Sequence, residues 1–185
     1  MKKILSLVAA LFMLFALVAC GGGTNSSEKI QKTTIFGSDD FGYLKLDGAW
    51  QELYESLGQK PPEHLPAMVY TKDSSIVDIG LVYPEDVSDE LTLQEAADEF
   101  IAVYFDDFDE ENRTVEESTF AGYKAILVTN TYVDPDFKED ATAKAWFFET
   151  DDKLYHYVQI DVLTADLEDI MEQVTSSFSF KRPAA

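Results

Sequence analysis

The chain has 185 residues, of which 46% are hydrophobic and 13% aromatic. That length predicts one domain, and that apolar content can bury a core, which argues against a disordered chain. The formal charge of −21 repels phosphate backbones and anionic lipid head groups alike, so nucleic acid is the least suitable partner.

The first element is an export signal. Lys2 and Lys3 are the only charges before Cys20, and residues 4–16 are an apolar run interrupted by Ser6 alone. Charge, apolar stretch and a small residue before a cut follow in the order a secretory signal requires. Leu17-Val18-Ala19-Cys20 resembles the bacterial lipobox. That resemblance implies cleavage between Ala19 and Cys20, a diacylglyceryl thioether on Cys20, and residence on the extracytoplasmic face of the cell membrane. The alternative is an uncleaved anchor. As a helix, residues 4–19 would span about 24 Å at about 1.5 Å per residue, short of a hydrocarbon core of about 30 Å. Cys20 is the only cysteine, so no internal disulfide is available and thiol chemistry falls to the anchor. Residues 20–34, rich in Gly and Ser, read as a flexible tether, and residues 35–182 as a single globular domain.

Phe41 to Leu46 alternates like a strand. Trp50, Leu53, Tyr54 and Leu57 have helical spacing, closed by Gly58 as a left-handed cap. Residues 59–66 hold three prolines and read as a loop. Residues 67–71 and 75–83 form a hairpin through Lys72-Asp73-Ser74. Residues 114–120 and 123–133 form a second through Ala121-Gly122. Residues 143–150 and 154–163 form a third through Asp151-Asp152-Lys153. Joints this short demand antiparallel neighbours.

Two amphipathic helices complete the pattern. Over residues 92–106 the apolar positions Leu93, Ala96, Ala97, Phe100, Ile101 and Tyr104 make one face, and Thr92 with Glu95 makes a capping box. Over residues 165–177 the face is Leu167, Ile170, Met171, Val174 and Phe178, with Thr164 or Asp166 as the cap. The predicted class is α+β: an antiparallel sheet covered by these two helices.

The order of these features resembles the PsbP-like lipoproteins of Gram-positive bacteria. The resemblance runs over residues 36–182. It rests on the exported signal, Phe41-Gly42-Tyr43 leading to Trp50, the mid-chain helix, Phe120-Ala121-Gly122-Tyr123-Lys124-Ala125 at a hairpin, and a last helix ending Ser176-Ser177-Phe178. It departs at Asp47-Gly48, where family members often carry proline. It implies an α-β-α sandwich and no catalytic activity.

Chemistry-bearing motifs are sparse. Gly-x-Ser-x-Gly, His-Glu-x-x-His and phosphate-cradling glycine loops are all missing, and no cofactor is expected. His64 sits in the proline loop and reads as surface. His156 is in register with Leu154, Val158 and Ile160, which suggests a satisfied core histidine over a catalytic or metal-binding one. Asp106, Asp107, Asp109 and Glu111 form the densest acidic run. Calcium takes six to eight oxygen ligands, so these four are candidate ligands, although Asn112 and Ser118 stand where an EF-hand needs Gly and Glu. The competing reading is a solvated acidic turn. Trp146, Tyr155 and Tyr157 make a binding platform if the sheet face is open, and core if a helix covers it. The functional expectation is a non-catalytic binding or interaction module with the membrane, envelope proteins or a small ligand as partners. The alternatives are an exported hydrolase using paired carboxylates, for example on glycans, and a calcium-binding envelope protein.

Overall fold

The computed structural model describes residues 33–56, 58, 66–71, 75–83 and 89–184. The lipobox with Cys20, His64 and the Lys72-Asp73-Ser74 joint lie outside the described residues. In chain order the elements are β1 (Thr33–Ser38), β2 (Gly42–Asp47), β3 (Gln51–Glu52), a single helical turn α1 (Leu53–Ser56), β4 (Ala67–Tyr70), β5 (Ile76–Leu81), α2 (Leu93–Tyr104), β6 (Arg113–Phe120), β7 (Tyr123–Val133), β8 (Asp140–Glu149), β9 (Tyr155–Leu163) and α3 (Leu167–Ser177).

The class is α+β, as predicted. Seven strands form one sheet in the order β3-β4-β5-β9-β8-β7-β6, and every neighbouring pair is antiparallel. The three predicted hairpins are all present. They are joined into one sheet by β7 pairing with β8 and by β5 pairing with β9, the latter a contact between distant parts of the chain. β1 and β2 make a separate two-stranded ribbon. β1 therefore begins at Thr33, where the sequence read as tether; Thr33 pairs with Asp47 and its hydroxyl donates to the Asp47 carboxylate at 2.7 Å.

Alternate strand residues point to opposite faces, and here both faces are covered. On one side Val77, Ile79, Leu127, Trp146, Val158 and Ile160 pack under α3 and the β1–β2 ribbon. On the other, Ile126, Val128, Ala143, Ala145 and Phe147 pack under Ala97, Phe100, Ile101 and Phe105 of α2 and the residues that follow it. The alanines of β8 leave room for the α2 aromatics. α3 buries Ile170 and Val174 fully, with Leu167, Met171 and Phe178 beside them, which is the face its spacing predicts. Full burial of such side chains contributes about 1.5–3 kcal/mol each.

The capping box at Thr92 and Glu95 forms as predicted, the Thr92 hydroxyl accepting from the Glu95 amide and the Glu95 carboxylate accepting from the Thr92 amide. The cap expected at α3 does not form. A 3-10 turn, Thr164–Asp166, leads into the helix, and Asp166 makes no side-chain cap. Thr164 instead pairs its hydroxyl with that of Thr142 at 3.0 Å, tying the turn to β8. At the β6–β7 joint Ala121 and Gly122 both have positive φ, 51° and 91°, the pattern of a two-residue hairpin turn.

Candidate functional site

The α2 face carries the carboxyls that point into the protein. α2 covers the half of this face built by β7 and β8. Toward β9 and β5 the inward residues become Asp161, Gln159 and Asp78. The register sets Asp78 directly opposite Gln159 and one step diagonal from Asp161 on the same face. Diagonal neighbours of this kind are about 7–8 Å apart.

Asp78 is 4% exposed, and its Oδ1 has no hydrogen-bond partner among the described residues. Burial pushes its carboxyl up to about 7; contact with the Tyr157 hydroxyl pulls the other way, and the neighbouring Asp161 adds repulsion. Asp161 is half-buried and is pushed up to about 6, again by burial first, while the Tyr132 hydroxyl opposes the shift and the Asp134 carboxylate adds to it. Tyr132 donates to Asp161 Oδ1 at 2.6 Å. Tyr157 reaches Asp78 because Gly80 lies opposite it. A Cβ on Gly80 would stand 3.0 Å from the Tyr157 ring and 3.2 Å from Pro66, so the missing side chain lets the ring lie across β5.

These two carboxyls can hold or release a proton near neutral pH. An acid or base for glycoside cleavage must face a groove that admits substrate. Asp78 faces protein, so the pair does not supply the hydrolase geometry.

An open cleft of about 860 Å³ lies at the end of the same face. One wall is the segment after α2, with Asp107, Phe108, Asp109 and Asn112; the other is the β7–β8 end, with Tyr132, Val133, Pro135 and Asp140. Tyr132 belongs to both features, lining the cleft while its hydroxyl holds Asp161. The Phe108 and Tyr132 rings meet edge to face, centroids 5.0 Å apart at 63°.

The acidic wall is held by a polar clamp from the sheet. Arg113 donates through Nη2 to the Phe105 carbonyl at 2.5 Å and, at 3.4 Å, to that of Phe108, and through Nε to Asn130 Oδ1 at 2.9 Å. Asn130, fully buried, donates in turn to the Asp109 carbonyl at 3.1 Å. A cation on the carbonyls just past α2 also offsets the negative end of the helix dipole, which the acidic run aggravates.

The predicted site residues fall in different places. Asp107 and Asp109 line the cleft, while Asp106 and Glu111 are exposed outside its lining. Among the described residues no group of three or more His, Cys, Asp or Glu is gathered closely enough to hold a metal ion. The aromatic platform is corrected. Trp146, Tyr155 and Tyr157 are only 4%, 3% and 5% exposed. They also do not share a face: Trp146 pairs with Val158 under α3, whereas Tyr157 pairs with Phe147 under α2. Tyr155 donates to the Leu91 carbonyl at 2.6 Å, ahead of α2.

His156 is in the core, on the Val158 side, 1% exposed, yet it is not satisfied. Neither ring nitrogen has a hydrogen-bond partner among the described residues. The ring stacks on Phe148 at 5.5 Å and meets Phe180 edge-on at 5.3 Å. Burial lowers its pKa; Asp152 and the Phe41 backbone, close but outside hydrogen-bond geometry, push it up by less.

Sequence reasoning missed Asp78, Asp161, Arg113 and Asn130. The available signal was an acidic residue inside an apolar β-branched strand, Val77-Asp78-Ile79 and Ile160-Asp161-Val162, which a surface turn does not explain.

No family model and no curated protein sequence matches the chain. Among solved structures, a Bacteroides thetaiotaomicron protein is similar over 82% of this chain with a TM-score of 0.50 and 10% identity. The alignment covers 49% of that protein, so this chain spans about half its length. A Pseudomonas aeruginosa protein of unknown function is 12% identical over 82% of this chain and 99% of its own, with a TM-score of 0.45. LpqN of Mycobacterium tuberculosis, involved in cell envelope biogenesis, is 13% identical over 82% of this chain and 85% of its own, with a TM-score of 0.40. The first likeness speaks to the fold alone, and the other two carry no argument. Among the described residues no helix is long and apolar enough to cross a membrane.

Proposed function

We propose that the chain is a lipid-anchored extracytoplasmic protein whose folded part is a non-catalytic binding module. Residues 1–19 are the removed signal, Cys20 carries the lipid, residues from 20 to the start of β1 are the tether, and the rest is one domain. The order and spacing that resemble the PsbP-like lipoproteins support the same reading.

The observation that carries the binding reading is the open cleft of about 860 Å³. Its size suits a small ligand, it combines two aromatic rings with carboxylates, amide and hydroxyls, and its acidic wall is clamped in place by Arg113 and Asn130 rather than left loose. Leu17-Val18-Ala19-Cys20 carries the location.

Location is tested by Cys20→Ala in a bacterial host. The expected result is a protein that leaves the detergent phase and loses the mass of the diacylglyceryl group. Continued membrane association at an unchanged mature mass would sink the anchor.

A further inference from the structure

We propose that the cleft takes an aliphatic amine carrying two or more ammonium groups, a small polyamine. The proposal rests on the reading of the domain as a binding module and names the ligand class for that cleft.

Charge sets the first limit. Asp107, Asp109 and Asp140 line the cleft from two separate segments of the chain, and among the described residues no Lys, Arg or His is in the lining. Arg113, next in sequence to Asn112, is turned inward onto the Phe105 and Phe108 carbonyls and Asn130. An anion would therefore meet three carboxylates with no cation to compensate, in a chain of formal charge −21.

Geometry sets the second. Asp107 and Asp109 stand on one wall and Asp140 on the other, and none of them belongs to a group close enough to hold a metal ion among the described residues. A single inorganic cation would leave most of about 860 Å³ unfilled. An extended organic cation spans it, with an ammonium at each wall.

The lining between the charges sets the third. Phe108 and Tyr132 present rings, and ring faces attract ammonium groups while accepting methylenes beside them. Val133, Pro135 and Ala141 add apolar surface. Carboxylates and apolar surface in one lining match a ligand whose charged nitrogens are joined by methylene spacers. A neutral sugar would use the rings and hydroxyls but leave the carboxylates without partners.

Spermidine is the probe. The full chain in a non-ionic detergent is titrated at about 150 mM salt, where diffuse attraction is screened beyond about 8 Å. Calorimetry reads the stoichiometry, and amide chemical shifts read the place. The expected result is saturable one-to-one binding with shifts at Thr131, Tyr132, Ala141 and Thr164. The double variant Asp109→Asn, Asp140→Asn should weaken it about tenfold or more, equivalent to about 1.4 kcal/mol. The double variant Glu116→Gln, Glu117→Gln, an equal charge change on exposed positions of β6, should leave it unchanged.

Loss of saturation at this salt, or equal weakening by both double variants, overturns the proposal by reducing it to net-charge attraction. A neutral disaccharide is titrated in parallel. If it shifts the cleft amides and spermidine does not, the amine proposal fails while the cleft survives as a binding site. If neither shifts them, both fail.

Discussion

Under α3 the inward side chains of the sheet are mostly aliphatic and aromatic from β5 across to β7, with Thr142 and Lys144 of β8 toward one end, and a buried polar ring, His156, is wedged between Phe148 and Phe180. Under α2 the same strands turn polar toward one edge. Ala143 and Ala145 give way to Asp161 and Gln159 on β9 and to Asp78 on β5. Burial does not separate the two regions, since His156 and Asp78 are both nearly inaccessible. What separates them is how their polar groups are arranged. The α3 face holds scattered polar groups with no carboxyl pair among them; the α2 face groups carboxyls, tyrosines and an amide, and leads through Tyr132 into an open cleft. The α3 face mainly packs the fold, and the α2 face carries the candidate site.

The two faces should also respond to pH in opposite senses. Asp78 rises in the fold from 3.8 to about 7. The folded state then binds the extra proton, so stability is greatest at low pH and is lost as pH climbs from about 4 toward about 7. The His156 pKa falls in the fold from 6.5. There the unfolded state binds the extra proton, so stability is lost as pH drops below about 6.5.

The largest effect is expected from Asp78→Asn. Removing the buried titration should raise stability at and above pH 7 by about 2–4 kcal/mol, given about 1.4 kcal/mol per pKa unit and a coupled neighbour, and should flatten the loss between pH 4 and pH 7. Denaturant melts at both pH values check it, and a variant less stable at both would break the contrast between the faces. Next is Arg113→Met, which leaves Asn130 Oδ1 and the Phe105 carbonyl without their donor. A loss of about 2–3 kcal/mol is expected, together with faster amide exchange over residues 105–112. Unchanged exchange would mean that the acidic wall does not depend on the clamp. Smaller is His156→Leu, which removes two buried nitrogens that have no hydrogen-bond partner among the described residues. It should gain about 1 kcal/mol near pH 7 and more below pH 6, and thermal melts against pH should show the acid limb disappear. If the acid limb stays, protonation of His156 is not its cause.

Much of this architecture was legible in advance. The boundaries of α2 and α3 and the faces they bury follow from apolar spacing, and three hairpins follow from short polar joints between β-branched runs. β1 was not legible, because Thr33–Ser38 holds only two large apolar residues and takes its order from β2. The platform of Trp146 with Tyr157 failed on parity: each was correctly placed on a neighbouring strand, but the β8–β9 register sets Trp146 opposite Val158. A shift of one residue exchanges the faces, and Trp146-Phe147-Phe148 and Tyr155-His156-Tyr157 carry rings at successive positions, so they leave the parity open. The carboxyl pair was hidden for another reason. Asp78 and Asp161 are far apart in sequence and meet only through the β5–β9 pairing, whereas the acids that cluster in sequence stand mostly in exposed turns. Half of the acidic candidates did reach the cleft, because Asp107 and Asp109 share one clamped loop.

What sets the α2 face apart is a pair of carboxyls that burial pushes up toward neutral pH. Carbon-13 NMR of the side-chain carboxyls, followed from pH 3 to pH 9, measures this directly. The predicted result is that Asp78 titrates near 7 and Asp161 near 6. Titration of both in the ordinary aspartate range, near 3.8, would contradict it and leave the α2 face with no chemistry to set it apart from the α3 face.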